Sequence, residues 1–169
     1  AAGLDPATPV SIVENASLPT EKTATGALQD MGSLLTDSGI TGPAILFIHG
    51  LGESGLCFEH LLAAPELENH RLLVPDLPGY GRSPWCEGEA QSLVEQADHL
   101  AAWVKKEYDD SVVVLGHSMG GVVALLLAER HPDLVGFVID VDGNKSPGDC
   151  VFSGQAAEYD LDTFCAAGF

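Results

Sequence analysis

The chain has 169 residues, of which 25 are acidic and 7 basic, so its formal charge at pH 7 is −18. Apolar residues make up 46% of the sequence and the mean hydropathy is +0.16, which indicates one domain with its own core and argues against a disordered chain. The acidic residues are spread along the chain, and this charge disfavours nucleic acid and anionic membranes as partners. A strongly solvated surface is the simplest interpretation of the charge.

Neither a membrane span nor a signal peptide is visible in the sequence. No run of about 18 apolar residues occurs, and the N-terminus has no basic region followed by an apolar one. We therefore expect a soluble protein with no membrane partner, and a cytoplasmic location is favoured. The chain begins at Ala1 and not at Met, which fits a processed product or a fragment.

The cysteines do not form a metal-binding pattern. They are widely spaced, with no C-x-x-C and no companion histidines, at Cys57, Cys86, Cys150 and Cys165. No metal site is predicted. Pairing of Cys150 with Cys165 in an oxidising compartment is left open by the sequence.

The first 42 residues are rich in Ala, Thr, Ser, Gly and Pro, with only short apolar patches such as Leu34-Leu35. We predict a mobile leader and weak edge strands there. The first buried strand is Ala44 to Ile48, which enters from Gly42-Pro43 and stops at His49-Gly50. The core is therefore predicted to begin at residue 43.

Residues 50–55 fit the pattern G-x-G-x-x-G, between this strand and a predicted helix that carries Leu56 to Leu62. A further strand at Arg71 to Pro75 ends at Asp76. In a dinucleotide-binding fold the glycines approach a pyrophosphate and Asp76 binds a ribose hydroxyl. Some forty residues precede the motif, however, and Asp76 opens a patterned turn that runs to Ser83. Dinucleotide binding is the less favoured alternative.

An amphipathic helix is predicted next. Ser92-Leu93-Val94-Glu95 has the form of a capping box, and apolar residues follow at helical spacing. The helix should run from about Leu93 to Tyr108 and lay its apolar stripe on the sheet.

The most informative stretch is Val112 to Glu129, which predicts a strand, a sharp turn and a helix. Val112 to Leu115 is apolar without alternation, as in a parallel strand covered on both faces, and Val122 to Ala128 predicts a buried helix. Between them, Gly116-His117-Ser118-Met119-Gly120 matches G-x-S-x-G, which places a serine hydroxyl at a strained strand-to-helix turn. The glycines fit this turn because side chains there would collide with neighbouring backbone.

Leu134 to Asp140 predicts one more buried strand, and a polar loop from Asp142 to Asp149 follows. Strands and helices therefore alternate along the chain. This order predicts the α/β class, with a mostly parallel sheet and flanking helices.

Three motifs in this order resemble the α/β-hydrolase fold family. They are His49-Gly50 after the first buried strand, Asp76 to Ser83 after the second, and Gly116 to Gly121 after the third. The resemblance covers residues 43–142 and implies a three-layer sandwich. It divides the chain into a leader at 1–42, a core at 43–142 and the truncated start of a cap at 143–169.

The resemblance also implies roles for individual residues. Ser118 matches the nucleophile, the N–H groups of Leu51 and Met119 match the oxyanion hole, and His49 and Gly50 match its supporting loop. A serine at this position is similar to the esterase, lipase, C–C hydrolase and haloperoxidase-like branches, and unlike the epoxide hydrolases and haloalkane dehalogenases. No cofactor and no metal are implied.

The chain departs from the family in its catalytic triad. The family's histidine follows the last strand, whereas no histidine follows His131 here, and none of the six fits a general base. Asp140 and Asp142 are candidate acids, because some relatives place the acid after this strand, although such residues often begin solvated loops. The sheet also looks unfinished and leaves a hydrophobic edge open. We expect the N-terminal part of a longer hydrolase, or a chain completed by a second one.

The predicted function is a serine-dependent hydrolase of ester-like substrates that works through an acyl-enzyme, with this chain weak or inactive alone. The expected partners are a small-molecule ester-like substrate and a complementing C-terminal chain. The alternatives are a non-catalytic fragment or interaction protein that keeps the serine turn as structure, and the dinucleotide-binding domain.

Overall fold

The described residues form a five-stranded sheet. The computed structural model describes residues 33–36, 43–84, 92–160, 162–163 and 166. The strands in chain order are β1 (Ser33–Thr36), β2 (Ala44–Ile48), β3 (Arg71–Pro75), β4 (Val112–His117) and β5 (Val135–Val141).

The strand order across the sheet is β1-β3-β2-β4-β5. The last four run parallel to one another, and β1 pairs antiparallel with β3 at one edge. The chain passes from β2 to β3 on one side, then crosses back so that β4 and β5 lie on the other side. The order therefore reverses between β2 and β4, and in open parallel sheets such a reversal leaves a crevice at the carboxyl ends of the strands. The predicted α/β class is confirmed, and β4 lies between β2 and β5.

The described residues form four helices. They are α1 (Glu59–Leu62), α2 (Leu93–Glu107), α3 (Met119–Arg130) and α4 (Val151–Ala157), with 3₁₀ turns at Gly55–Phe58, Pro65–Leu67 and Pro147–Asp149. The predicted capping box of α2 is present: Ser92 Oγ accepts the Glu95 N–H at 3.2 Å and the Glu95 carboxylate accepts the Ser92 N–H at 2.9 Å. In the described part of the chain, no helix combines the length and apolar character that crossing a bilayer requires.

The core has two parts, one on each face of the sheet. On one face Leu46, Ile48 and Val114 pack with the apolar sides of α2 and α3. On the other face Ile45 and Phe47 pack with Phe58, Leu72 and Val74. Because successive strand residues point to opposite faces, the unbroken apolar runs of the sequence supply both parts.

Two predicted elements are less buried than the sequence indicated. On β5, Phe137 is 64% exposed and Ile139 and Val141 also face solvent, so the strand that was predicted to be buried has one open apolar face. In α3, Leu125 is exposed whereas Val123 and Leu127 are buried. The expected helix after Gly55 is only a 3₁₀ turn followed by one turn of α-helix.

Some predictions fall on residues that the structure does not describe. Of the predicted leader it describes only β1, and Cys86 and Cys165 lie outside the described residues. The segment assigned to the start of a cap contains α4.

Candidate active site

Ser118 lies in the turn between β4 and α3, at the carboxyl edge of the sheet. Its backbone has φ 53° and ψ −120°, a combination that L-residues rarely adopt and that costs about 1–3 kcal/mol. Two hydrogen bonds hold the turn: the Ser118 N–H donates to the Val141 carbonyl at 2.9 Å, and the Ser118 carbonyl accepts the Gly121 N–H at 2.9 Å. The G-x-S-x-G pattern therefore forms the strained turn that it predicts.

The glycines on either side of Ser118 lie against backbone. A Cβ at Gly116 would come within 2.3 Å of the Gly120 carbonyl oxygen, and a Cβ at Gly120 would come within 2.1 Å of the Ile48 carbonyl oxygen and 2.7 Å of that of His49. The distances at Gly120 show that the first turn of α3 packs directly against the end of β2. This packing brings Met119 close to the loop that holds Leu51.

His49 fixes the loop after β2. It is fully buried, its Nδ1–H donates to the Gly50 carbonyl at 2.9 Å, and its Nε2 accepts the N–H of Leu77 at 2.9 Å. Because a backbone N–H can only donate, Nε2 must be unprotonated, so the ring is neutral with its proton on Nδ1. The ring edge also contacts Tyr80, with the centroids 5.3 Å apart.

This bond also orients the N–H of Leu51. A trans peptide points its N–H away from its C=O, so holding the Gly50 carbonyl fixes the direction of the Leu51 N–H. Among the described residues, neither the Leu51 N–H nor the Met119 N–H donates a hydrogen bond. The two predicted oxyanion donors thus come from the two loops that meet between β2 and β4.

The neutral state of His49 predicts that stability falls at acid pH. Burial lowers the pKa of His49 below its ordinary value, although its bond to Gly50 and the nearby carboxylates Asp76 and Glu53 oppose the shift. The unfolded chain therefore binds the proton first, and stability is lost as pH falls below about 6.5, by about 1.4 kcal/mol for each unit that separates the two pKa values. Urea unfolding between pH 7.5 and 5 should show this loss.

The control for this prediction is another histidine. His49→Gln should flatten the pH dependence, whereas His60→Gln, on the outer helix α1, should keep it. An equal slope in His49→Gln and the unsubstituted chain would contradict the prediction.

The hydroxyl of Ser118 donates to an amide oxygen and not to a histidine. Its partner is Asn144 Oδ1, at 3.2 Å, and the Asn144 amide in turn donates to the Asp149 carbonyl. An amide oxygen does not accept a proton at neutral pH, so this contact orients the hydroxyl without activating it.

The six histidines have other positions and partners. His117 Nδ1 lies 3.1 Å from Glu53 Oε2, and His131, at the far end of α3, bonds Asp98 at 2.9 Å. His60, His70 and His99 lie in or beside the outer elements. The structure therefore places no histidine at Ser118 Oγ within its described residues.

The two candidate acids lie at the end of β5, beside β4. The carboxylate of Asp140 accepts the Gly143 N–H at 3.0 Å and pairs with Lys145, and it adjoins Gly121 in the first turn of α3. Asp142 has φ 55° and an exposed side chain. Asp140 is thus engaged within its own loop, and among the described residues neither acid accepts a hydrogen bond from a histidine.

In the glycine loop at 50–55, carboxylates accept two of the backbone N–H groups that a bound pyrophosphate would need. The Gly50 N–H donates to Glu53 Oε2 at 2.8 Å, and the Gly55 N–H donates to Asp76 Oδ1 at 2.7 Å. Asp76 is 4% exposed, and its other oxygen accepts the Arg82 N–H. These contacts occupy two of the N–H groups that would bind the phosphates and both oxygens of the carboxylate that would bind the ribose, which counts against dinucleotide binding.

Sequence reasoning missed Glu53 and Asn144. Their partners are 64 and 26 residues away, at His117 and Ser118, and no local pattern marks such contacts. No group of three or more His, Cys, Asp or Glu side chains suited to a metal ion occurs among the described residues.

Comparison with known proteins gives a consistent set of relatives. The family model described as alpha/beta hydrolase fold matches residues 43–161. Lipase LipV of Mycobacterium tuberculosis is 40% identical over 105 residues, which are 62% of this chain and 39% of that protein. The pimeloyl-[acyl-carrier protein] methyl ester esterase of Vibrio atlanticus is 37% identical over 100 residues, 59% of this chain and 36% of that protein.

Solved structures agree with these relatives. A marine microorganism esterase superposes with a TM-score of 0.58 at 28% identity, over 69% of this chain and 46% of that chain. This chain therefore spans less than half the length of each of these three proteins.

Proposed function

Because the chain belongs to the alpha/beta hydrolase fold family, we propose that it carries the nucleophile and the oxyanion hole of a serine-dependent hydrolase of ester-like substrates. The observation that carries the proposal is the strained backbone of Ser118 at the junction of β4 and α3. Strain of this kind persists only where the surrounding structure imposes it, and it is concentrated at functional sites. The names of the relatives, a lipase and esterases, support the same reaction class.

The proposed chemistry follows from the positions of three groups. Ser118 Oγ attacks the carbonyl carbon of the ester, and the proton that it loses passes to a histidine. The N–H groups of Leu51 and Met119 hold the oxyanion that forms, and that of Met119 has the added field of the α3 N-terminus. Collapse of this intermediate, with the proton returned from the histidine to the leaving oxygen, releases the alcohol and leaves an acyl-serine, which water hydrolyses. Asp140 or Asp142 is the candidate acid that orients the histidine.

This mechanism needs a histidine beside Ser118, and none of the described residues supplies one. We therefore propose that the chain alone is weak or inactive and that a complementing C-terminal chain is its partner. The other proposal is a non-catalytic protein that keeps the turn as structure. Asn144 favours it, because its amide oxygen holds the serine hydroxyl in an unactivated state.

Reaction with a fluorophosphonate tests the nucleophile. We expect slow labelling over hours that mass spectrometry locates at Ser118 and that Ser118→Ala removes. Ser54→Ala, a loop serine on the same side of the sheet edge, serves as the control and should keep the label. Labelling at another residue, or labelling that survives Ser118→Ala, would contradict the proposal.

A further inference from the structure

One carboxylate oxygen joins the loop after β2 to the end of β4. Glu53 Oε2 accepts the Gly50 N–H at 2.8 Å and lies 3.1 Å from His117 Nδ1. Gly50 precedes Leu51, and His117 precedes Ser118. The two segments that carry the proposed oxyanion donors and the nucleophile are therefore linked through a single atom.

Glu53 also holds the peptide on the other side of Gly50. Its own N–H donates to the Gly50 carbonyl at 3.3 Å, and that carbonyl accepts the His49 Nδ1–H as well. Both peptide planes that flank Gly50 are thus tied to Glu53, one through its side chain and one through its main chain. The direction of the Leu51 N–H follows from the second plane.

The surroundings keep Glu53 ionised. Burial by itself raises the pKa of Glu53, but the hydrogen bonds from Gly50 and His117 outweigh it and hold the pKa below its ordinary value. Burial, together with the Glu53 carboxylate, raises the pKa of the Cys57 thiol to about 12, so this third neighbour is a neutral donor. A charged acceptor with three donors forms stronger hydrogen bonds than a neutral one.

The Glu53 and His117 side chains are 34% and 37% exposed, and an isolated ion pair that is this exposed contributes little to stability. The backbone contact distinguishes this pair from a surface salt bridge. Gly50 has no side chain to fix its position, so its peptides depend on the partners of its N–H and C=O. Loss of the carboxylate would free the Gly50 N–H and detach the loop from His117.

We propose that Glu53 is a positioning residue, which holds the Leu51 N–H in place against the Ser118 turn. This inference rests on the proposed function, since it assigns Glu53 a role in the oxyanion hole of that reaction. Glu53 touches no substrate atom and acts through Gly50 and His117.

The first measurement does not depend on reactivity. Amide hydrogen exchange by NMR compares the unsubstituted chain with Glu53→Ala, Glu53→Gln and the control Glu59→Gln, which removes the same charge from the exposed start of α1. In Glu53→Ala the exchange of the Gly50 N–H should rise at least about tenfold, as expected when a hydrogen bond to a charged group is lost. Glu59→Gln should leave it unchanged.

The second measurement is the rate at which a fluorophosphonate labels Ser118. Without a general base, residual reactivity depends on the oxyanion hole and on binding, so it responds directly to the position of Leu51. Glu53→Ala should lower the maximal labelling rate about tenfold, less than the 10²–10³ lost with a whole donor, and leave the half-saturating reagent concentration unchanged. Glu53→Gln keeps an acceptor oxygen at the same distance and should recover part of the rate.

Each result either supports the role of Glu53 or overturns it. Unchanged Gly50 exchange in Glu53→Ala overturns it, and so does faster exchange with an unchanged labelling rate. A change in half-saturation alone also overturns it, because positioning of an oxyanion donor acts on the transition state. If label appears at another residue or survives Ser118→Ala, the nucleophile proposal fails first and the role of Glu53 falls with it. That failure is recognised without any change at Glu53.

Discussion

The isolated chain is expected to hydrolyse p-nitrophenyl acetate at no more than a small fraction of the rate of a complete serine hydrolase. Loss of one triad member in serine proteases lowers the rate by roughly four to six powers of ten, and the oxyanion hole and binding leave about 10³–10⁴ over water. In this chain the Ser118 hydroxyl donates to Asn144, and the six histidines lie elsewhere or have other partners. Initial rates with and without the chain, followed spectroscopically, measure the effect.

Ser118→Ala is the control for this measurement and should remove whatever small rate exceeds the background. Fast turnover that depends on Ser118 would show that a histidine of this chain acts as the base. His49, in the loop after β2, would have to give up the Leu77 N–H to accept a proton. Such a result would contradict the expectation of an incomplete triad.

Gly120→Ala is expected to destabilise the native fold strongly. The new methyl carbon would lie 2.1 Å from the Ile48 carbonyl oxygen and 2.7 Å from two further backbone atoms of Ile48 and His49. Backbone cannot rotate away as a side chain can, so α3 must move off the sheet or the turn at Ser118 must open. We expect a loss of more than about 3 kcal/mol, a large share of the 5–15 kcal/mol that stabilises a domain. Urea unfolding followed by circular dichroism measures it.

Gly154→Ala is the matched control, because a Cβ at Gly154 in α4 would meet nothing within 4 Å. Alanine in a helix is favoured over glycine by about 1 kcal/mol, so this variant should be as stable as the unsubstituted chain or more stable. If Gly120→Ala unfolds at the same urea concentration as Gly154→Ala, the packing of the first turn of α3 onto β2 is wrong.

The fold was predictable where local pattern and tertiary contact agree. The strand at Arg71–Pro75 and the helix that begins at Leu93 were predicted almost to the residue, since apolar runs and a capping box mark them. The helix after Gly55 was overestimated: Leu56 and Leu61 have helical spacing, but both are exposed and contribute little to the core. Spacing alone could not show that Phe58 and Leu62 are the residues that pack against the sheet there.

The candidate site was predictable in part. The positions of Ser118 and of the His49 loop follow from strand order, because β2 and β4 are neighbours with parallel carboxyl ends. The contacts of Glu53 and Asn144 did not follow, since each joins loops far apart in the sequence through side chains that no motif specifies. The role of Asp76 in tying Gly55 to the turn at Arg82 was likewise visible only in three dimensions.

The open face of β5 has a consequence for how the chain behaves at different ionic strengths. Phe137, Ile139 and Val141 present apolar surface to water on a molecule whose net charge is −18. Two copies that meet through this face gain apolar burial but bring two strongly negative bodies together. Salt shortens the range of that repulsion from about 10 Å at 0.1 M to about 3 Å at 1 M, and it does not weaken the apolar attraction. Dilute buffers therefore favour dispersed molecules, and concentrated salt favours self-association.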